Sequence, residues 1–153
     1  MTVRIIKKDI LRASENIIAH QVNCQAVMSS GVAKQIKQLY PKVYTEYLQF
    51  CLQNKESLLG KIQLVEIGRG TNKYVANLFG QQDFGGDGKK YTNDDALRNA
   101  LNELCKFAQT NHYSIALPYR IGCDRGGGDW NVVSKMINDI FKDEEVTLYK
   151  FTP

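Results

Sequence analysis

Apolar and polar positions along this chain switch between two spacings. Val3 to Ile6 is a short, β-branched run and predicts a strand. Ile17 to Asn23 predicts a second strand, buried at its start and polar at its end. Val32, Ile36, Leu39, Val43, Tyr47, Leu48 and Cys51 then recur every three or four residues, which predicts a helical face from about Gly31 to Gln53. Pro41 interrupts it, because its ring removes a helical donor and can start a second helix. Lys61 to Ile67 and Lys73 to Phe79 predict two strands joined by a turn at Arg69-Gly70-Thr71-Asn72.

After a glycine-rich stretch, Thr92 precedes Asn93-Asp94-Asp95, a start signal that sets acidic groups at a helix's positive end. Ala96, Leu97, Ala100, Leu101, Leu104, Cys105 and Ala108 supply the buried stripe of that helix. Tyr113 to Leu117 reads as a buried strand ending at Pro118, and Asp129 caps a helix with its face at Trp130, Val133, Met136, Ile137 and Ile140. Val146 to Phe151 closes as a strand. Strands mixed with amphipathic helices give an α/β fold with helices on both faces of a mixed sheet. With 153 residues, no repeat and no linker, one domain over 1–153 is expected.

Charge adds an asymmetry. Residues 1–61 carry nine basic and four acidic side chains, whereas 62–153 carry eleven and twelve. The net charge of +4 suits an anionic small ligand and is too mild to imply nucleic-acid binding unaided. No apolar run approaches the roughly 20 residues of a membrane span, and the N-terminus lacks a signal-peptide core. Cys24, Cys51, Cys105 and Cys123 form no CxxC pair and only two histidines exist, so no metal site is expected. Four reduced thiols in a cytoplasmic protein is the simplest expectation.

All twelve glycines lie at or beyond residue 31, and eight fall in two loops, at 80–88 and 122–128. Four in seven residues suggest backbone amides that approach something closely. The second loop runs from a strand into a helix, as does Ser29-Ser30-Gly31, and such turns favour an anion. The pair could grip the two phosphates of one diphosphate, or both could be tight connections. The named phosphate motifs fail: Gly86 stands where a P-loop needs Lys, and no GxGxxG follows the first strand.

Asp9-Ile10, Ala19-His20-Gln21-Val22-Asn23 before Ser29-Ser30-Gly31-Val32-Ala33, and Leu117-Pro118-Tyr119-Arg120-Ile121-Gly122-Cys123 before Gly126-Gly127-Gly128-Asp129-Trp130 resemble a macrodomain. Tyr40-Pro41-Lys42 and Leu58-Leu59-Gly60-Lys61 resemble the branch holding ADP-ribose phosphatases and the terminal ADP-ribose glycohydrolase. The resemblance implies a three-layer α/β/α fold around a central mixed sheet, with an ADP-ribose cleft at the C-terminal strand ends. It implies that Asp9 accepts from the adenine amino group beside the Ile10 amide, and that Asn23 touches the distal ribose. Amides of Ser30, Gly31 and Val32 would hold one phosphate. Ile121, Gly122, Cys123, Asp124, Arg125 and Gly126 would hold the other phosphate and its ribose, and Phe151 or Tyr149 would stack on adenine.

The glycohydrolase's Lys and Asp are absent from their expected places, with Gln81 and Gln82 in the loop where the Lys is expected and Gly126 in place of the Asp, unless Lys89, Lys90 or Asp124 substitutes from a shifted position. The phosphatase-like relatives instead resemble this chain at His20 and at Phe84-Gly85-Gly86, which makes His20 and Asp87 the candidate proton-transfer groups. A histidine base at its ordinary value would lose activity below about pH 6.5. Cys123 is either a nucleophile or a small buried thiol. The expected function is a hydrolase acting at the distal ribose of an ADP-ribosyl compound, without a cofactor; the alternative is a reader that binds ADP-ribose and catalyses nothing. Nucleic acid enters only as an ADP-ribosylated substrate, and no membrane partner is expected.

Overall fold

A computed structural model describes residues 3–151. Six strands form one sheet: β1 (Val3–Ile6), β2 (Ile17–Val22), β3 (Ile62–Gly68), β4 (Lys73–Phe79), β5 (Ile115–Pro118) and β6 (Val146–Tyr149). Their order across the sheet is β1-β6-β5-β2-β4-β3. Only the β3–β4 hairpin is antiparallel, as its short turn requires; every other pair is parallel. Among the described residues four α-helices complete the fold: α1 (Gly31–Leu39), α2 (Pro41–Gln53), α3 (Asp94–Asn111) and α4 (Trp130–Ile140).

Strand alternation sorts side chains into two cores. Ile17, Ala19, Ala76, Leu78, Ile115, Leu117 and Leu148 face α3 and α4, where Leu97, Leu101, Val133 and Ile137 are buried. Ile18, Val22, Val75, Phe79, Ala116 and Val65 face the other way and pack with Ile36 of α1 and Val43, Tyr47 and Cys51 of α2. The architecture is therefore α/β/α around a mixed sheet. Pro41 occupies the first turn of α2, where its missing donor costs nothing.

Asn93, within the start signal, caps α3, its side chain accepting from the Ala96 amide. One local expectation changes. The last strand stops at Tyr149, leaving Phe151 outside the sheet. A single 3-10 turn at Ile10–Arg12, with no counterpart in the sequence reading, follows β1 and is capped by Asp9. Among the described residues no helix is long and apolar enough to cross a membrane.

Candidate active site

β2, β4 and β5 are parallel neighbours, and the segments leaving their C-terminal ends enclose a cleft of about 440 Å³. Residues 20–23 form its floor. Residues 29–33 form one wall, Gln81 with Phe84, Gly85 and Gly86 a second, and 118–122 with 124–126 a third.

The first wall is a helix start left open. Asn93 and Asp129 cap α3 and α4, but no side chain caps α1, and its N-cap residue Ser30 only accepts from the Lys34 amide through its carbonyl. The amides of Gly31, Val32 and Ala33 have no partner among the described residues, and all three residues line the cleft. Unpaired amides at the positive end of a helix dipole are donors waiting for an anion. Gly31 has φ +59°, and a Cβ there would meet nothing within 4 Å, so space for a ligand lies directly over the turn.

The third wall divides its amides. Those of Cys123, Gly127 and Gly128 close local turns on Arg120, Asp124 and Gly122. Those of Gly122, Asp124, Arg125 and Gly126 have no partner among the described residues. Part of the glycine cluster serves packing. A Cβ on Gly126 would lie 2.5 Å from Thr92 Oγ1 and 2.6 Å from Gly122 O, and one on Gly127 would lie 2.5 Å from Lys89 O. These glycines let the loop after β5 press against the loop after β4, and the Gly126 carbonyl accepts from both Tyr91 and Thr92 amides. Arg125 spans the same gap. Its Nη2 would be 2.8 Å from a Cβ on Gly86, and it makes no ion pair among the described residues. Asp124 is tied to Arg120 at 3.1 Å.

His20 sits on the α1–α2 face of β2 and is 2% exposed. Its Nε2 lies 2.6 Å from Asn77 Oδ1 on β4, while Nδ1 has no partner although the residue lines the cleft. Burial, opposed only in part by the Asn77 hydrogen bond, pushes its pKa down to about 4. The ring is thus neutral at pH 7 and basic enough to accept a proton only transiently. As pH falls from about 6.5 to about 4, the unfolded chain takes up this proton and the folded one does not, so stability is lost across that window. Urea unfolding should show roughly 2 kcal/mol less stability at pH 5 than at pH 7, an increment that His20→Leu removes. An equal loss in that variant would assign the effect elsewhere.

The remaining predicted residues divide by position. Asn23 lines the cleft, but its amide also ties its own loop, accepting from Gln25 N and donating to Val27 O, with the Tyr47 hydroxyl donating to its carbonyl at 2.6 Å. Asp9 Oδ1 accepts from Leu11 N; Asp9, Ile10, Tyr149 and Phe151 lie outside the residues walling the cleft, and Phe151 is 64% exposed. Cys123 is buried behind the wall, its thiol donating to Ile121 O, and burial raises its pKa to about 11, which suits a packed thiol and not a nucleophile. Asp87 is exposed, also outside the wall. Its carboxylate accepts from Tyr91 Oη at 2.8 Å and from Lys89 N, bonds that hold its pKa below the usual range. The structure thus brings His20, Asn23, 30–32 and most of 121–126 together around the cleft, and Asp87 is not among the residues that line it.

Three residues outside the candidate site residues of the sequence shape the site. Thr92 donates to Gly122 O and accepts from Gln21 Nε2, joining two walls. Gln81 accepts from Gln21 Nε2 at 2.7 Å, so the position where a lysine was expected holds a fixed amide. Asn77, the partner of His20, is fully buried within the run Tyr74–Phe79, whose other residues are apolar or aromatic, and that polar interruption was the available signal.

The chain is similar to known proteins over almost its whole length. It is 28% identical over 145 residues to a protein of Mycobacterium tuberculosis named DNA ADP-ribosyl glycohydrolase, covering 92% of this chain but only 40% of that protein. It is 22% identical over 176 residues to the ADP-ribose 1''-phosphate phosphatase of Saccharomyces cerevisiae, covering 97% and 98% of the two chains. The solved macrodomain of Mycobacterium tuberculosis DarG superposes with a TM-score of 0.83 at 25% identity, covering 99% and 98%. The sequence profile described as Macro domain matches residues 19–137, and this chain belongs to that family.

Proposed function

We propose that this chain binds ADP-ribose and hydrolyses a bond at the distal ribose of an ADP-ribosyl compound. The carrying observation is the pairing of two donor sets across one cleft: the open amides of 31–33, and those of 122 and 124–126 with the Arg125 cation. Two anionic groups of a diphosphate match two such sets better than any single anion does. The distal ribose would then lie toward the cleft floor, beside Asn23 and His20. His20 Nδ1 accepts the proton of the attacking water as the bond from the ribose to its leaving oxygen breaks. The remote diphosphate grip holds the scissile bond in place, which is where much of the rate originates. We assign Asp87 to the shape of the 84–91 loop, because its carboxylate is engaged by Tyr91 and Lys89.

The names of the two relatives support a hydrolase and differ in substrate, so the decisive assay offers three: the distal phosphate ester, ADP-ribosylated carboxylate protein and ADP-ribosylated DNA. Release of ADP-ribose or phosphate from one of them identifies the reaction. A reader without turnover is the second reading, favoured by Gln81 and Gly126 where the glycohydrolase has Lys and Asp. Tight binding with no release from any substrate would establish it. Asp9→Ala should weaken ADP-ribose binding by roughly 1–3 kcal/mol in calorimetry, through loss of a charge-assisted bond to adenine. Unchanged affinity would leave Asp9 as the cap of the 3-10 turn and nothing more.

A further inference from the structure

Where β2, β4 and β3 carry the α1–α2 face of the sheet, the buried side chains are apolar except for one row. His20 on β2, Asn77 on β4 and Gln63 on β3 stand directly opposite one another, in register across three adjacent strands. All three are buried, among Ile18, Val22, Val75, Phe79 and Val65. Apolar side chains would fill such a row at lower desolvation cost, so the polar groups call for a reason beyond packing.

The hydrogen bonds run in one direction. Gln63 Nε2 donates to the backbone carbonyl of Glu46 in α2 at 3.0 Å. A carbonyl can only accept, so this end of the row has a fixed polarity. Gln63 must therefore present Oε1 to Asn77, whose Nδ2 donates to it at 3.0 Å. Asn77 in turn must present Oδ1 to His20, at 2.6 Å from Nε2. The hydrogen of the neutral imidazole is thereby placed on Nε2, and the lone pair on Nδ1. Among the described residues that nitrogen is the one buried ring nitrogen left without a partner, on a residue that lines the cleft.

We propose that Gln63 and Asn77 are positioning residues, which read the polarity of the Glu46 carbonyl across the sheet and hold His20 as its Nε2–H tautomer, with Nδ1 an acceptor for a hydroxyl or water in the cleft. The inference rests on the reading of His20 as a working group of this site. With the opposite tautomer, Nδ1 would be a donor and could take no proton. When Nδ1 is protonated, Asn77 Oδ1 still accepts from Nε2–H, so the row stays satisfied through the transfer.

The test is nitrogen NMR of uniformly 15N-labelled protein, in which His20 and His112 are the only histidines. At pH 7, His20 should show a protonated Nε2 and a bare Nδ1. Gln63→Met keeps the length and removes the anchor, so a measurable Nδ1–H population should appear. On whichever substrate is turned over, kcat should fall in proportion to the remaining Nε2–H population with KM unchanged. Asn77→Leu, which removes the acceptor itself, should shift the tautomer likewise and serves if Gln63→Met fails to fold. A wild-type His20 carrying its proton on Nδ1 overturns the proposal, as does an unchanged tautomer in either folded variant. The spectra report on the tautomer whether or not turnover is found. Expected spectra without turnover on any substrate would retain the relay and discard the hydrolase reading.

Discussion

Gly31→Glu should lower ADP-ribose affinity roughly a hundredfold or more, because a fixed carboxylate would stand over the amides offered to a phosphate, and like charges so placed cost several kcal/mol. Calorimetry against wild type measures the loss. The site tolerates the atoms themselves, since a Cβ at Gly31 meets nothing within 4 Å. The backbone does not welcome it, because φ is +59° and a side chain in that region costs roughly 1–2 kcal/mol. A melting temperature a few degrees lower is therefore expected, with the fold retained. Gly31→Ala carries the same backbone strain without the charge and should keep most of the affinity. Equal losses in both variants would trace the effect to strain, and normal binding by folded Gly31→Glu would move the diphosphate away from α1.

His20→Ala should slow hydrolysis by roughly a hundredfold or more, the usual cost of losing a proton-transfer group, with ADP-ribose affinity little changed. Asp87→Ala should cost far less, since that carboxylate faces Tyr91 and Lys89 instead of the cleft. Larger loss in Asp87→Ala than in His20→Ala would reverse the two assignments. The pH profile adds a second check. The ordinary histidine value would place the acid limb near 6.5, but a ring held at about 4 keeps its lone pair well below that. Activity should stay level from pH 7 to about 5 and decline only toward 4. A fall centred on 6.5 would mean that the acting group is exposed, and His20 is not.

The difference between these expectations and the sequence reading shows which physics is local. Strand and helix existence follows from apolar spacing, so Val3–Ile6, Lys73–Phe79 and the Pro41 break are legible directly. The Thr92-to-Asp95 start signal leaves open which residue caps α3, because Thr92 and Asn93 are both good caps by type. The Thr92 hydroxyl is drawn inward by Gly122 O, thirty residues away in sequence. Likewise the glycines of 122–128 are visible as an anomaly, but a list of residues does not separate amides that face a ligand from glycines that admit a neighbouring loop. His20 could be singled out by type; its burial, its lowered pKa and its partner Asn77, 57 residues on, come only with strand pairing. The burial of Cys123 and the bonds of Asp87 to Tyr91 and Lys89 likewise come only with the folded loops.

The fit of the two loops against each other limits what evolution or engineering can do with this cleft. Placing a carboxylate in this loop by Gly126→Asp would set its Cβ within 2.6 Å of both Thr92 Oγ1 and the Gly122 carbonyl. Neither is the free end of a long side chain: Thr92 is held by Gln21 and by its own bond to Gly122. Acquiring that carboxylate therefore requires the loop after β5 and residue 92 to change together, a double step whose first half is destabilising. A library that varies one loop at a time should therefore return few folded variants with a carboxylate at 126.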